Sequence, residues 1–317
     1  MENQNMYQNI QEQIYNSLKK KYMIEKYLGT KDNNRNYLAN DVNNNSKKFV
    51  IQIRPVNKLD NDSFSQIAFL NYLSQFQSSR KYVRQCLDYG ITQDNIIMVH
   101  QFNQEESLGE YFEKIKDLNP DKYLDVIIKI ITQILYALTY IHKKEVVHQN
   151  FDFENILIKI EDNQKISIIF TDFQYSCGNY LSEKDKKIHN QICSPKVSPL
   201  EDIYKKQLLE KIEKLIKDEN NDIDNNNNIA YLYLAKKYDI YLLGVLFWKM
   251  INRYQVGINP VVIEFDHTNL SYKGIKHNET EKIHDFIVKN MLSKIPYRLK
   301  AKELLDDLLI KTKYNID

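Results

Sequence analysis

The sequence predicts an α+β fold in two lobes: a small antiparallel sheet carrying one helix, then a larger, mainly helical part. Three observations predict it. Between residues 22 and 102, short segments of alternating apolar and polar residues are separated by polar turns, and one stretch repeats with helical period. Beyond residue 103 the apolar period lengthens to that of helices, with Tyr123–His142 and Asp239–Ile251 the most apolar. The length, 317 residues, suits two units of roughly 100–200 residues each.

Residues 1–21 form a polar N-terminal extension. Tyr7, Ile10, Ile14 and Leu18 fall there at helical spacing, which predicts a short docking helix. Tyr22–Gly29, Asn36–Asp41 and Phe49–Arg54 are predicted strands; Asn43–Lys48 is a polar turn, and Pro55 ends the third strand. Ile67, Leu70 and Leu73 set the phase of a helix over Ser65–Gln75. Ile96–Phe102 is a strand with Cys86–Thr92 as its hairpin partner, closing a first lobe over 22–102. The second lobe, 103–314, opens with a short helix at Leu108–Ile115 and the long one at Tyr123–His142. In the long helix Asp125, Lys129, Thr132, Gln133 and Tyr136 make a narrow polar stripe, which predicts that most of it is buried. Ile156–Ile160 and Lys165–Phe170 are strands about the turn Glu161–Gln164. An insertion around 204–230 joins a charged helix, Tyr204–Lys217, to an Asn/Asp-rich loop, Asp218–Asn228. Asp239–Ile251 is a buried helix, and Glu279–Leu292 and Ala301–Ile310 are amphipathic closing helices.

Composition excludes several classes. A net charge of +2 and a pI near 8.1 are far from the basicity of a charge-driven nucleic-acid binder, so no nucleic-acid partner is expected. Cys86, Cys177 and Cys193 are an odd count without C-x-x-C spacing, which argues against a disulfide framework or a cysteine zinc site and for a reducing, cytoplasmic setting. Met1–Gln13 has no apolar core, so no secretory signal is expected. Val126–Leu138 and Ile240–Phe247 fall short of the ~20 apolar residues of a membrane span. Glycine is scarce, with 7 in the chain, which weighs against a glycine-rich phosphate loop.

The segment richest in chemistry runs from Ile141 to Gln174. A long helix leads into His148-Gln149-Asn150-Phe151-Asp152-Phe153-Glu154-Asn155, then a hairpin, then Asp172-Phe173-Gln174. This resembles the core of the eukaryotic protein kinases, where H-R-D-L-K-P-E-N precedes D-F-G. The resemblance extends from about Tyr22 to Ile310. Phe49–Arg54 sits where the V-A-I-K strand belongs, and Ser198-Pro199-Leu200-Glu201 resembles A-P-E. Asp239–Gly244 resembles D-V-W-S-L-G, and Arg298 matches the late arginine that pairs with the A-P-E glutamate. The resemblance implies a two-lobed protein-kinase-like fold.

Residue by residue, it also implies lost chemistry. Phosphoryl transfer needs held phosphates, held magnesium and a carboxylate beside the attacking hydroxyl. The base position is Asn150, an amide that cannot take a proton as a carboxylate would. Gln149 replaces the arginine that answers a phosphorylated activation segment. Asp152 replaces the lysine that faces the transferring phosphate. In the upper lobe Arg54 stands for the phosphate-holding lysine, and Gln66 for its glutamate partner, so at most one charged hydrogen bond replaces an ion pair. Gln52 replaces the alanine that lies against adenine. Gly29 survives from the phosphate loop, where Lys31 and Asn34 take the other glycine positions. Asn155 and Asp172 match the two magnesium ligands, and two oxygens alone make a poor Mg²⁺ site. His148 and Phe173 are assigned to packing, and His142 and Asp239 to structural roles. Gln174 replaces a glycine and stiffens the hinge of a segment that contains Tyr175, Ser176, Tyr180, Ser182 and Ser194.

The expected function is a pseudokinase, a non-catalytic scaffold or allosteric regulator with a protein partner such as an active kinase, and with no cofactor. The alternative is an active Ser/Thr-type kinase using ATP and Mg²⁺, with Arg54 as clamp, Asp152 or a substrate group as base, and Asn155 with Asp172 on the metal.

Overall fold

A computed structural model describes residues 14, 16–18, 20–31, 34–55, 62–103, 105–161, 165–178, 223–252, 278–292 and 298–312. The expected helix Tyr204–Lys217, the Ser198–Glu201 motif, Tyr7, Ile10, Tyr180, Ser182, Cys193 and Ser194 lie outside the described residues. The chain divides into two compact units, Met1–Gln104 and Glu105–Asp317.

The first unit is built on five antiparallel strands. These are β1 (Tyr22–Lys31), β2 (Asn34–Asp41), β3 (Asn44–Pro55), β4 (Asp88–Ile91) and β5 (Asn95–Gln101), in the order β1-β2-β3-β5-β4. Helix α1 (Asp62–Ser74) buries Ile67, Leu70 and Leu73, the residues that set its phase. In β5, Ile96, Ile97, Met98 and Val99 are all fully buried, because both faces of that strand are covered. Ile96 and Met98 pack with Ile67 of α1, while Ile97 and Val99 join Tyr22, Tyr37, Ala39, Ile51 and Ile53 on the opposite face. That second face is closed by Ile14 and Leu18, one helical turn apart, with the Leu18 N–H donating to the Ile14 carbonyl at 2.9 Å. Gly90 makes the approach possible, since a Cβ there would lie 2.7 Å from Cβ of Ser17. One expectation is corrected: the polar stretch Asn43–Lys48 is mostly strand, because β3 already pairs with β2 at Asn44. The register slips between Asn40 and Asp41, so residues 45–47 bulge out of the pairing, and the Ser46 N–H donates to the Asn44 side chain at 3.2 Å.

In the second unit, β6 (Glu106–Ser107) leads into α2 (Leu108–Ile115) through a capping box. Ser107 accepts from the Glu110 N–H, and Glu110 accepts from the Ser107 N–H. Helix α3 (Pro120–Lys143) starts three residues before the expected Tyr123, where the Asn119 side chain accepts from the Lys122 N–H and Pro120 takes the first turn. At 24 residues α3 is long and apolar enough to cross a membrane by length and composition alone, and 61% of its most apolar window is buried within the protein. It packs here against β9 (Ile166–Phe170), α4 (Ile223–Ile251) and α6 (Ala301–Thr312). Strands β8 (Ile156–Ile160) and β9 form a hairpin edged by β6, and β7 (Val146–Val147) pairs with β10 (Cys177–Gly178). The tyrosine hydroxyl of Tyr123 donates to the Met250 carbonyl and ties α3 to α4. Gly244 of α4 meets Met291 and Leu292, which follow α5 (Asn278–Asn290).

Helix α4 corrects a further expectation. The Asp218–Asn228 loop is helical from Ile223, so Asn225–Asn228 belong to the same 29-residue helix as Asp239. Four asparagines cost on the order of 2–3 kcal/mol against alanine in a helix. Propagation from an apolar segment already packed in the unit outweighs that penalty.

Candidate functional site

In the second unit the loop between β7 and β8 is hung from one buried carboxylate. Asp239, fully buried in α4, accepts the His148 N–H at 2.9 Å on one oxygen and the Gln149 N–H at 2.7 Å on the other. His142, near the end of α3, adds its Nε2–H at 2.9 Å. Those bonds hold Gln149 at φ +59°, a left-handed conformation that costs a side-chain-bearing residue roughly 1–2 kcal/mol. Burial pushes the His142 and His148 imidazoles below the usual histidine range, although Asp239 opposes the shift. The hydrogen bonds of the His148 ring are those of a neutral imidazole. Its Nδ1 accepts from the Asn150 N–H at 3.2 Å, and its Nε2–H donates to the Thr171 carbonyl at 2.8 Å. The ring stacks on Phe151, with centroids 4.4 Å apart, and meets Phe173 edge-on at 4.6 Å, in keeping with the packing role assigned to both.

The residues at the reacting positions are brought together, with altered polarity. The Asn150 side-chain amide donates to Asp172 Oδ2 at 3.0 Å. Asn155 donates its own amide to the Asn150 carbonyl at 3.0 Å. Asp172 lies at φ +58°. Asp152 stands apart: its carboxylate is exposed and one oxygen accepts the N–H of Phe153 at 2.7 Å, a local turn bond. Ser176 is fully buried with its hydroxyl donating to the His148 carbonyl at 3.2 Å, so it is closed to modification in this conformation. Arg298 is buried beside Tyr241, 4.7 Å from the ring centroid, and donates to the Lys237 carbonyl at 3.3 Å; its expected partner Glu201 lies outside the described residues.

Asn155 and Asp172 are the residues that would hold a magnesium ion, and one oxygen of Asp172 is already engaged. The Asn150 amide points hydrogen atoms at the carboxylate that would have to face a cation. Among the described residues no group of three or more His, Cys, Asp or Glu converges on one point.

In the first unit, Gln52 and Arg54 share one face of β3, as alternation requires, with Gln52 half-buried and Arg54 5% exposed. Arg54 does not make the expected bond to the Gln66 oxygen. Its Nε donates to Asn34 Oδ1 at 2.8 Å, and the buried Gln66 Oε1 has no hydrogen-bond partner among the described residues. The register explains the exchange, since pairing of Arg35 with Ile53 sets Asn34 beside Arg54 on the neighbouring strand. Gly29 keeps φ +126°, a conformation only glycine adopts readily, so that backbone feature of a phosphate loop persists. The arginine head that would meet phosphate is instead turned to an amide of its own sheet. Sequence reasoning named Asn34, Arg54, Asn150 and Asp172 but neither of the two hydrogen bonds that join them in pairs. No sequence signal marked either bond, since each depends on which residues the fold sets side by side.

A sequence profile of the protein kinase domain matches residues 22–208. Serine/threonine-protein kinase VRK3 of Mus musculus is 29% identical over 92 residues, 28% of this chain and 19% of that protein. The VRK3 of Homo sapiens is 28% identical over 85 residues, 26% of this chain and 17% of its own. Calcium-dependent protein kinase 4 of Plasmodium falciparum (isolate 3D7) is 30% identical over 102 residues, covering 29% of this chain and 19% of that one. The matched part of the chain thus spans less than a fifth of the length of these curated relatives.

Proposed function

From the premise that this chain belongs to the protein kinase domain family, we propose that it is a pseudokinase, a kinase-fold protein that binds a protein partner as scaffold or allosteric regulator and does not turn over ATP. The observation that carries the reading is the hydrogen bond from Asn150 to Asp172. Where a general base should accept a proton, the side chain donates one, and the carboxylate that should face a metal is engaged by that donor. Asn34 on Arg54 supports the same reading from an independent unit. Losing a general base alone costs ~10²–10⁴-fold. Here the phosphate clamp is altered as well, and one oxygen of Asp172 is engaged by an amide. A partner of the kind the fold accommodates is an active kinase, biased by contact. The free thiols of Cys86 and Cys177 support a reducing, cytoplasmic setting, and burial pushes the Cys86 thiol up to about 11.

The competing reading is a slow Ser/Thr-type enzyme. Asn155 and Asp172 favour it, because both magnesium-ligand residue types are present, as do the serine/threonine kinase names of the VRK3 relatives. One experiment separates the two. Millimolar ATP with Mg²⁺ should leave the melting temperature unchanged, and labelled phosphate should not appear on protein substrates. A stabilisation near the ~2.7 kcal/mol expected at 100 times Kd, together with label transfer, would establish the enzyme instead.

A further inference from the structure

We infer that the Asn150–Asp172 hydrogen bond is a built-in latch that holds the Asp172–Phe173 turn in place without a metal ion, so that the turn's conformation is independent of divalent cations. The inference deepens the pseudokinase reading by naming how the degenerate site is kept rigid, and its test reads stability rather than phosphotransfer.

Three observations lead to it. Asp172 occupies a left-handed backbone conformation, φ +58°, and needs holding there. The amide 3.0 Å from its Oδ2 is a charge-assisted donor, and it is itself fixed. The Asn150 N–H is tied to His148 Nδ1 and its carbonyl to the Asn155 side chain. On the other side of the turn Phe173 is fully buried against His148, and the Ser176 N–H donates to the Phe173 carbonyl at 3.2 Å. Two carboxylates at the Asn150–Asp172 separation could not both stay ionised without a counter-cation. The amide removes that requirement, because it supplies hydrogen-bond donors to Asp172 and adds no negative charge.

The test is a set of melting curves at neutral pH, each recorded in chelator and in millimolar Mg²⁺, on the full chain. The wild type should melt at one temperature in both. Asn150→Asp should melt about 5 °C lower in chelator and recover most of the loss in Mg²⁺, because the variant recreates a dicarboxylate. Asn150→Ala should melt lower and ignore Mg²⁺. The inverted pair, Asn150→Asp with Asp172→Asn, should return towards the wild-type temperature in chelator, since asparagine tolerates the left-handed conformation. If Asn150→Asp fails to fold in chelator, recovery in the inverted pair still decides the matter. A wild type that Mg²⁺ stabilises overturns the latch. So does an Asn150→Asp variant that melts normally in chelator, or one rescued neither by Mg²⁺ nor by inversion. None of those outcomes bears on turnover of ATP, which the labelled-phosphate assay reads separately.

Discussion

Removing the Asp239 carboxylate should unfasten the loop that carries His148, Gln149 and Asn150. The side chain is fully buried and receives three N–H donors at 2.7–2.9 Å, from His148, Gln149 and His142. Asp239→Ala leaves all three donors buried without their acceptor. A hydrogen bond to a charged group contributes ~1.5–3 kcal/mol, and an unsatisfied buried donor costs ~1–3 kcal/mol. The terms overlap, and the left-handed strain at Gln149 relaxes once its tether is cut, so a net loss of about 4 kcal/mol follows. With an m-value of about 2.5 kcal/mol per molar urea, the midpoint should fall by about 1.5 M. Asp239→Asn preserves shape but turns one acceptor into a donor that faces donors, and should lose about half as much. The chain carries its own probe: Trp248, its one tryptophan, lies buried in the same helix, so its emission reports unfolding of this unit. A loss under about 1 kcal/mol in the alanine variant would refute the reasoning.

Three further outcomes are expected. Glu145 follows the end of α3 at φ +57°, a position that suits glycine, so Glu145→Gly should raise stability by about 0.5–1 kcal/mol in urea melts. Gly244→Ala should destabilise by about 1–3 kcal/mol, because its Cβ would stand 2.8 Å from Leu292 Cδ2 and 2.9 Å from Met291 Cβ; a neutral effect would mean that this packing yields easily. Stability should decline as pH is lowered below about 6.5, the ordinary histidine value. His100 is held down to about 3, chiefly by burial and then by the nearby Arg84 guanidinium, and His142 and His148 are also lowered by burial. The unfolded chain therefore takes up protons that the folded chain refuses. Each such histidine contributes a slope of about 1.4 kcal/mol per pH unit between its unfolded and folded values, and His100→Gln should flatten the decline.

The parts of the fold legible in the sequence were those written in side-chain period and caps. Helix α2 began at Leu108 as read, because Ser107 and Glu110 form its cap, and β8 kept its bounds because its apolar run is flanked by turn residues. What escaped was written in the backbone. The start of α3 lay in Asn119-Pro120, a capping signal passed over in favour of the first apolar residue. The first turns of α4 were hidden by the low helix propensity of Asn225–Asn228, which the rest of the helix overrides. Two-residue strands such as β7 and β10 have no period to read. At the site, residue identities singled out Asn150, Gln149, Asn155 and Asp172, whose hydrogen bonds the structure then supplies. They could not tell that Arg54 would choose Asn34 over Gln66, because that choice depends on which residues face each other across β2 and β3.

The turn at Ile14 and Leu18 bears on how this protein can be handled. The kinase-domain profile begins at Tyr22, yet these two side chains, 0% and 2% exposed, are the lid on one face of the five-stranded sheet. A recombinant chain begun at Tyr22 and otherwise intact would bare Tyr37, Ile51, Ile53 and Val99 to solvent, forfeiting about 3–6 kcal/mol of burial from the Ile14 and Leu18 side chains. Such a fragment should precipitate or bind chaperones, and its failure would say nothing about the activity of the intact chain.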